Sequence, residues 1–493
     1  MSDLNFNYAL LLPEIILAAT GGIVLLSDAF RRELKLGRNM LPWITVAGAV
    51  LATLASVAQA GIVEDFAGIV LVDAFTTFFR VLFGLTLAVV VIGSHEYVAK
   101  QIRGQGEFYT MLLFATVGAS FMAMSTELIT AYVGIELLSF SLYVAVSLAK
   151  SDPRSGEAGL KYVLLGGLAS AILLYGLSLV YGAAGSTDYA TIAKNLSEGR
   201  DGMHAPLLMG LTMVIAGLGF KASAVPFHMW TPDAYEGAPL PVTAVLSATS
   251  KAAAFAVLLR LFGGPFLPAI ADWQGTIAFL AVLTMVVGNL IAIQQHNIKR
   301  LLAYSSIGQV GFMLMAIVTI SDASTSAVLM HLGGYLITNL AVFMGVIAFY
   351  NQTGSEEIAD MKGLAETNPF LALVIAAGLF SLAGMPLLAG FTTKFILFQA
   401  AAYGGYLWLV GVAVVASTVS LYYYLMVIKQ IYVIQTDGSL LDPQAHDVVV
   451  PRWRLTWTGY LTTATLLVAM VVVGLWVAPL AHAADSAAKA LFG

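Results

Sequence analysis

Apolar runs of about twenty residues recur along almost the whole sequence, and they constrain the fold more than any other feature. A run of that length can cross the hydrocarbon core of a bilayer as an α-helix. Because lipid offers the backbone no hydrogen-bond partner, a spanning segment must be a helix or a strand of a closed barrel. The runs lack the period-two alternation of barrel strands, so we predict an all-α polytopic membrane protein.

We predict fourteen spans, and no hydrophilic stretch between them is long enough for a soluble domain. The first run begins at Tyr8 without a basic leader or a small-residue cleavage site, so we expect a retained helix and not a signal peptide. The predicted spans are 8–29, 40–60, 70–93, 109–124, 127–149, 158–182, 206–232, 240–262, 274–295, 301–319, 327–350, 370–402, 406–433 and 455–479.

Lysine and arginine are distributed very unequally between the two sets of alternating loops. One set holds fourteen of them: Arg31, Arg32, Lys35, Arg38, Lys100, Arg103, Lys150, Arg154, Lys299, Arg300, Lys362, Lys429, Arg452 and Arg454. The opposite set holds only Lys194, Arg200 and Lys489. Basic loops favour the cytoplasmic side, which predicts that both termini lie on the periplasmic side.

Composition excludes several classes of function. Only 10% of the residues are charged and 59% are hydrophobic, whereas soluble proteins are about 25% charged. The chain has no cysteine, which removes disulfides, thiolate metal sites and iron–sulfur ligation. A net charge of -5 indicates no nucleic-acid partner. We therefore expect no metal and no cofactor in this chain.

Six basic residues fall inside the predicted spans or at their edges: Arg80, Lys161, Lys221, Lys251, Arg260 and Lys394. Arg80 and Arg260 lie toward span ends, where we expect them to extend to the interface. Lys161 follows Glu157 by one helical turn, which fits a surface i,i+4 pair as well as a functional pair.

Four charged residues lie near the middle of their spans: Glu136, Lys221, Lys251 and Lys394. A charge at the bilayer centre costs at least about 2.5–3.5 kcal/mol, so such residues usually face a polar interior and serve function. Burial disfavours the charged form of a lysine and a nearby carboxylate favours it, which suits a proton relay. One buried ion pair that orders the helices is the alternative, but it leaves two lysines unexplained.

Two spans carry helix-breaking residues at their centres. Pro226 interrupts the seventh span, and Gly384 and Pro386 interrupt the twelfth. An ordinary proline kink would explain either one alone. Because both broken spans carry a central lysine and are five spans apart, we predict two inverted five-helix repeats, spans four to eight and nine to thirteen.

These repeats define four predicted segments. Residues 1–105 form an N-terminal three-helix segment, 106–265 the first repeat, 266–435 the second repeat, and 436–493 the last helix and tail. His228, His331 and Tyr424 are weaker relay candidates, because a lone histidine or tyrosine in a span is more often a packing residue.

Several segments resemble a known family. Gly217–Val242, the GIELLS segment at Glu136 and the stretch QQHNIKRLLAYSSIGQVGFML look like the antiporter-like subunits of respiratory complex I, a family that includes the large subunits of Mrp-type cation/proton antiporters. The resemblance covers spans four to thirteen. It is nearest to the N-type branch, because span twelve carries Lys394 where the M-type has glutamate, and no long lateral helix follows span fourteen.

The resemblance implies a role for each candidate. Glu136 would be the carboxylate partner of Lys221, Lys251 the central relay and Lys394 the terminal proton donor or acceptor. His228 and His331 would bridge them through water, and Glu157 and Lys161 would be a coupling pair at a subunit boundary.

The resemblance also implies an assembly in a bacterial inner membrane. Antiporter-like M-type and small K- and J-type neighbours would be partners of this chain. FMN, iron–sulfur clusters and quinone would be held by other subunits, which transfer electrons from NADH to quinone.

Three alternatives remain open on the sequence alone. An Mrp-type cation/proton antiporter subunit shares nearly the same core, and gene neighbours would discriminate it. The membrane arm of a hydrogenase or of a plastoquinone-linked relative is the second. The third is a scaffold whose buried ions only order the helices, for which charge-neutral substitutions would leave activity normal.

Overall fold

The structure is a computed structural model, and it describes residues 7–30, 37–198, 204–432 and 453–492. Arg31, Arg32, Lys35, Arg200 and Arg452, which contribute to the predicted loop asymmetry, lie outside these residues.

Twenty α-helices account for most of the described chain, joined by short turns and one small hairpin, Glu64–Phe66 (β1) and Val70–Val72 (β2). The first ten helices are Leu12–Ala29 (α1), Leu41–Ala58 (α2), Ala74–Gln101 (α3), Gln105–Met124 (α4), Leu128–Val146 (α5), Pro153–Ala184 (α6), Tyr189–Glu198 (α7), His204–Ala222 (α8), Trp230–Gly237 (α9) and Leu240–Val245 (α10). The others are Lys251–Gly263 (α11), Ile270–Ala292 (α12), Ile298–Ile317 (α13), Asp322–Thr353 (α14), Leu364–Thr367 (α15), Pro369–Ala383 (α16), Ala389–Tyr403 (α17), Leu407–Tyr432 (α18), Trp457–Leu475 (α19) and Ala478–Phe492 (α20).

Thirteen helical segments of the described chain are long and apolar enough to cross a membrane, which confirms the polytopic helical class. They correspond to every predicted span except the twelfth. That span, 370–402, consists of α16 and α17, which are fifteen residues each and too short to cross alone. The predicted interruption of this span is therefore confirmed.

Polar side chains at the membrane surface begin several helices. Asp73, Glu127 and Asn297 each accept a hydrogen bond from the first turn of α3, α5 and α13, respectively. Ser321 and Ser324 bond reciprocally at the start of α14. Such caps satisfy amide groups that a helix leaves free at its N-terminus, and they fix where the spans start.

Glycine pairs bring two helices of each predicted repeat into backbone contact. In the first repeat, a Cβ atom at Gly118 of α4 would lie 2.9 Å from the carbonyl oxygen of Gly134 on α5. In the second, a Cβ atom at Gly288 of α12 would lie 2.9 Å from the backbone nitrogen of Gly308 on α13. Small residues at such positions allow membrane helices to approach closely.

Arg80 and Arg260 do not extend to the interface, so that expectation is wrong. Arg80 is 3% exposed, and its guanidinium donates two 2.7 Å hydrogen bonds to the carboxylate of Glu14 on α1. Arg260 is 5% exposed and donates to Asp73 at 2.9 Å. The carboxylates on other helices supply a counter-charge inside the bundle, which removes the need to reach water.

Candidate functional site

Both interrupted spans end their first half in the same backbone motif. Beyond Ala222 the amide of Ala224 donates to the carbonyl of Gly219, and Ser223 has a φ of 69°. Beyond Ala383 the amide of Met385 donates to Phe380, and Gly384 has a φ of 88°. This is a Schellman cap with a left-handed residue after the helix.

The helices stop upstream of the prolines that predicted the breaks. α8 ends four residues before Pro226, and α16 ends three residues before Pro386. A Schellman cap pairs only some of the terminal carbonyls, so oxygens in the last turn need other donors. At both breaks a lysine supplies one.

Lys251 points at the broken end of α8. Its amine lies 3.4 Å from the carbonyl oxygen of Ala222, and the side chain is 1% exposed. A π-helical turn, Leu246–Ser250, immediately precedes it. π-Helical turns are rare and often found at functional sites, and sequence periodicity did not reveal this one.

Lys394 occupies the corresponding place at the second break. Its amine donates to the carbonyl of Leu382 at 2.9 Å and lies 3.4 Å from the hydroxyl of Ser417. It also lies 5.0 Å from the ring centroid of Phe312. The negative end of the α16 dipole and the ring face both favour a cation here.

Lys221 is the penultimate residue of α8 and reaches toward α5. Its amine donates to the hydroxyl of Ser139 at 2.5 Å and lies 3.4 Å from the Tyr143 hydroxyl. Among the described residues no carboxylate lies within ion-pair distance of this amine. Glu136, one turn before Ser139, accepts a hydrogen bond from Ser170. The carboxylate of Glu136 and the Lys221 amine thus face the same stretch of α5 without touching.

Lys394 and His331 share a polar cluster that the sequence did not single out. His331 is 2% exposed, and its Nε2 lies 3.3 Å from the side-chain oxygen of Gln309. The amide nitrogen of Gln309 donates to Leu382, the same carbonyl that accepts from Lys394. The other ring nitrogen of His331 lies 3.2 Å from the hydroxyl of Thr393. Gln309 was missed because it lies mid-helix without a charge.

The remaining two candidates, His228 and Tyr424, are also buried. His228 lies in the turn after the first break, is 7% exposed, and its Nδ1 has no hydrogen-bond partner among the described residues. Tyr424 is fully buried, and its hydroxyl bonds to Ser305 at 2.5 Å. Another tyrosine, Tyr335, reaches the π-helical turn and donates to the carbonyl of Ser247 at 3.2 Å.

Glu157 and Lys161 form part of a larger charged basin on one face of the protein. Lys161 pairs with Glu157 at 2.8 Å and with Asp233 at 3.1 Å. Arg300 pairs with Asp233 and Glu236. These side chains line a pocket of about 200 Å³. The acidic residues of α9 had no sequence signal beyond their position between two prolines.

A second pair near the basin is fully enclosed. Lys299, expected in a loop, is 3% exposed and pairs with Glu356 at 2.7 Å. It also donates to the carbonyl of Ala238 at 3.0 Å. The Lys299 side chain points into the protein because the Glu356 carboxylate and the Ala238 carbonyl, its two partners, lie there.

The arrangement offers buried amines that can hold and exchange protons. Three amines lie in the interior of the bundle, and their closest partners are hydroxyl and carbonyl groups of neutral residues. Among the described residues no group of three or more histidine, aspartate and glutamate side chains is placed to hold a metal ion. A lysine without a fixed counter-ion can lose its proton, which an arginine cannot.

Comparison with known proteins gives a consistent family. The family model described as "NADH:quinone oxidoreductase/Mrp antiporter, TM" matches residues 125–420. The chain is 40% identical to the NADH-quinone oxidoreductase subunit N of Desulforamulus reducens over 99% of both chains. It is also 40% identical to that of Sphingopyxis alaskensis, again over 99% of both.

Solved structures share this fold along nearly the whole chain. A chain of respiratory complex I from Thermus thermophilus is similar with a TM-score of 0.78 and 30% identity, covering 95% of this chain and 98% of that one. A chain of the Mrp complex from Dietzia has a TM-score of 0.83 at 22% identity, covering 98% of each, and shows the shared fold alone.

Proposed function

Because this chain belongs to the NADH:quinone oxidoreductase/Mrp antiporter family and is an antiporter-like membrane-arm subunit of an NADH-quinone oxidoreductase, we propose that protons cross it along Lys221, Lys251 and Lys394. The complex is a translocase. We assign its iron–sulfur clusters to other subunits, since this chain has no cysteine to ligate them, and we propose that FMN and quinone are also held by other subunits.

One observation carries the proposal: three lysines are buried in interrupted or distorted helices, and each amine is held by neutral oxygens. The acceptors are the Ser139 hydroxyl for Lys221, the Ala222 carbonyl for Lys251 and the Leu382 carbonyl for Lys394. Neutral dipoles solvate both the ammonium and the amine, so the cost of losing a proton is smaller than for a tightly paired ion.

The first step couples Glu136 to Lys221. A signal from the quinone-reducing module changes the distance between this carboxylate and the amine. When Glu136 moves away, the ammonium loses its attraction and Lys221 gives up one proton. Ser139, between them on α5, holds the amine in place during the change.

The second step carries the proton across the break to Lys251 and on to Lys394. Lys251 contacts Ala222, the residue next to Lys221, so the two amines flank the same helix end. We assign the intermediate positions between these lysines to four polar side chains: His228, Tyr424, Gln309 and His331. Water molecules would connect those side chains that are not in direct contact. Each transfer leaves a neutral donor amine and a protonated acceptor.

Lys394 exchanges the proton with the outer side. It lines a cavity of about 230 Å³ between α16, α17 and α18, together with Ser417. Lys221 and Lys251 do not line this cavity. The cavity beside Lys394 therefore supports an exit at the second break.

The charged basin is our candidate for coupling to a neighbouring subunit. Lys161 bridges Glu157 on its own helix and Asp233 on α9, the helix that follows the first break. A displacement of Glu157 by a neighbour would alter the ion pairs of α9. Antiporter-like M-type and small K- and J-type subunits are the partners we propose.

We propose the two inverted repeats, 106–265 and 266–435, as the framework of this relay. The matching Schellman caps and the matching glycine contacts support it. The loop charges favour a bacterial inner membrane orientation with both termini periplasmic.

The test is Lys221→Ala in the assembled complex, with Lys194→Ala as the matched control. Lys194 is an exposed lysine on α7 whose side chain is 71% exposed. We expect Lys221→Ala to abolish proton pumping coupled to NADH oxidation in inverted membrane vesicles, while subunit assembly and the control remain normal. Full pumping by the assembled Lys221→Ala complex would rule out the relay.

The Mrp-type antiporter remains the alternative for the same fold. The relatives at 40% identity over the full chain are quinone oxidoreductase subunits, whereas the Mrp chain shares 22% identity. Purification of the complex and identification of its subunits separates the two functions.

A further inference from the structure

A large apolar cavity lies on the far side of α14 from the relay. Its volume is about 790 Å³, and it is bounded by α3, α14, α19 and α20. Binding pockets for organic ligands span roughly 300–1,000 Å³, so the space accommodates a whole molecular segment. Apolar cavities do not hold water well, so an apolar group is expected to fill it.

The cavity opens sideways, where the bilayer would be. Leu85, on its lip, is 53% exposed, whereas Leu336 and Leu340 at its back are buried. In a membrane the medium at such an opening is lipid hydrocarbon. An acyl chain can therefore enter without crossing water.

The length of the cavity matches one leaflet. Its wall on α3 runs from Ala74 to Val89, a rise of about 22 Å at 1.5 Å per residue. Half of a bilayer is about 20–22 Å thick when the headgroup region is included. The wall begins at the end of α3 that carries the β1–β2 hairpin and reaches the middle of the membrane.

The hydroxyl of one threonine in the wall is unpaired among the described residues. That hydroxyl, on Thr77, is buried and has no hydrogen-bond partner in the described chain, whereas Thr86, further along the same wall, bonds the carbonyl of Leu82 at 2.8 Å. A buried hydroxyl without a partner costs free energy. Its position at the membrane-surface end of the wall is where the ester carbonyl of a lipid would lie.

A basic residue lies one turn beyond the mouth on α20. Ser486 of α20 lines the mouth and is exposed, and Lys489, also exposed, follows it by one turn. A basic side chain near a membrane surface attracts anionic lipid groups.

We propose that this cavity binds one phospholipid: an acyl chain lies along α3 and α14, the Thr77 hydroxyl donates to the ester carbonyl, and the phosphate lies near Lys489. The lipid would support the face of α14 that carries Leu336 and Leu340, opposite the relay residue His331. This inference does not depend on the proton pathway.

The experiment uses the whole complex in membranes containing a phospholipid with a photoactivatable group in its acyl chain. After illumination, crosslinked peptides of this chain are quantified by mass spectrometry. Ala469→Trp fills the cavity from α19, and Val468→Trp places the same side chain on the adjacent surface, where Val468 is 60% exposed. We expect crosslinks to α3 and α14 to fall about tenfold in Ala469→Trp and to stay normal in Val468→Trp.

Thr77→Val and Thr77→Ser test the polar contact without added bulk. We expect Thr77→Val to lower the crosslink yield about fivefold, the effect of one neutral hydrogen bond, and Thr77→Ser to keep it. If the Ala469→Trp complex fails to assemble, the comparison of Thr77→Val with Thr77→Ser tests the proposal on its own. Equal yields in the variants and their controls, or crosslinking of these walls to a helix of a neighbouring subunit or to a quinone tail in place of the phospholipid, would overturn the proposal.

Discussion

Two groups of buried cations in this molecule have opposite surroundings. Between α1, α3 and α11, Arg80 and Arg260 each contact a buried carboxylate at 2.7 Å and 2.9 Å, with further bonds to neutral groups. In the lysine row, which we define as Lys221, Lys251 and Lys394 beside the broken helices, the hydrogen-bond partners of the amines in the described chain are hydroxyl and carbonyl oxygens.

Under the proposed function, this difference separates charges that order the helices from charges that carry protons. An arginine stays protonated in a protein, so a permanent counter-charge is required to keep it buried. A lysine can become neutral, so neutral acceptors suffice, and a permanent carboxylate contact would hold its proton too strongly. The ion pairs link the N-terminal helices to the bundle, whereas the proposed relay requires the three lysines to gain and lose protons.

The largest expected effect comes from exchanging the two kinds of cation. Lys251→Arg keeps a positive charge at the break but cannot release a proton, so we expect pumping to be abolished. Arg260→Lys is the matched exchange in the other region and should leave pumping measurable, since Arg260 is outside the row. Proton uptake by membrane vesicles with NADH is the measurement. Normal pumping by Lys251→Arg would show that the residue at this position does not need to release a proton.

The next effect is on stability. Glu14→Leu leaves Arg80 buried without its carboxylate, and we expect a destabilisation of about 3–5 kcal/mol. The amount of assembled complex after detergent extraction and its thermal stability report this loss. Glu14→Leu combined with Arg80→Met removes both charges and should restore most of the stability. A single variant as stable as the parent would show that the pair is not needed for folding.

The smallest expected effect tests whether the Ser139 hydroxyl holds the Lys221 amine in place. Ser139→Ala removes the 2.5 Å acceptor of Lys221, and a hydrogen bond to a charged group contributes about 1.5–3 kcal/mol. We expect slower pumping, with assembly intact, and recovery in Ser139→Thr, which restores a hydroxyl. Unchanged pumping in Ser139→Ala would mean that Tyr143 and Glu136 hold the amine without it.

Local features of the sequence determined the class of fold and the position of most candidates. The length of apolar runs predicted the spans, and thirteen of fourteen have a single long helix in the described chain. Charges at mid-span marked Lys221, Lys251 and Lys394, and the breaks near Pro226 and Pro386 followed from backbone chemistry. These features depend on residues close together in the chain.

Only the tertiary structure decided which group each charge contacts. Glu14 lies 66 residues from Arg80, and Ser139 lies 82 residues from Lys221, so no local pattern joins them. Gln309 and the π-helical turn before Lys251 were missed for a related reason: a neutral side chain and a change in helix winding leave no hydrophobic signal. Contacts between helices are set by packing across the bundle, and packing decides whether a buried cation is fixed by a carboxylate or held by neutral oxygens.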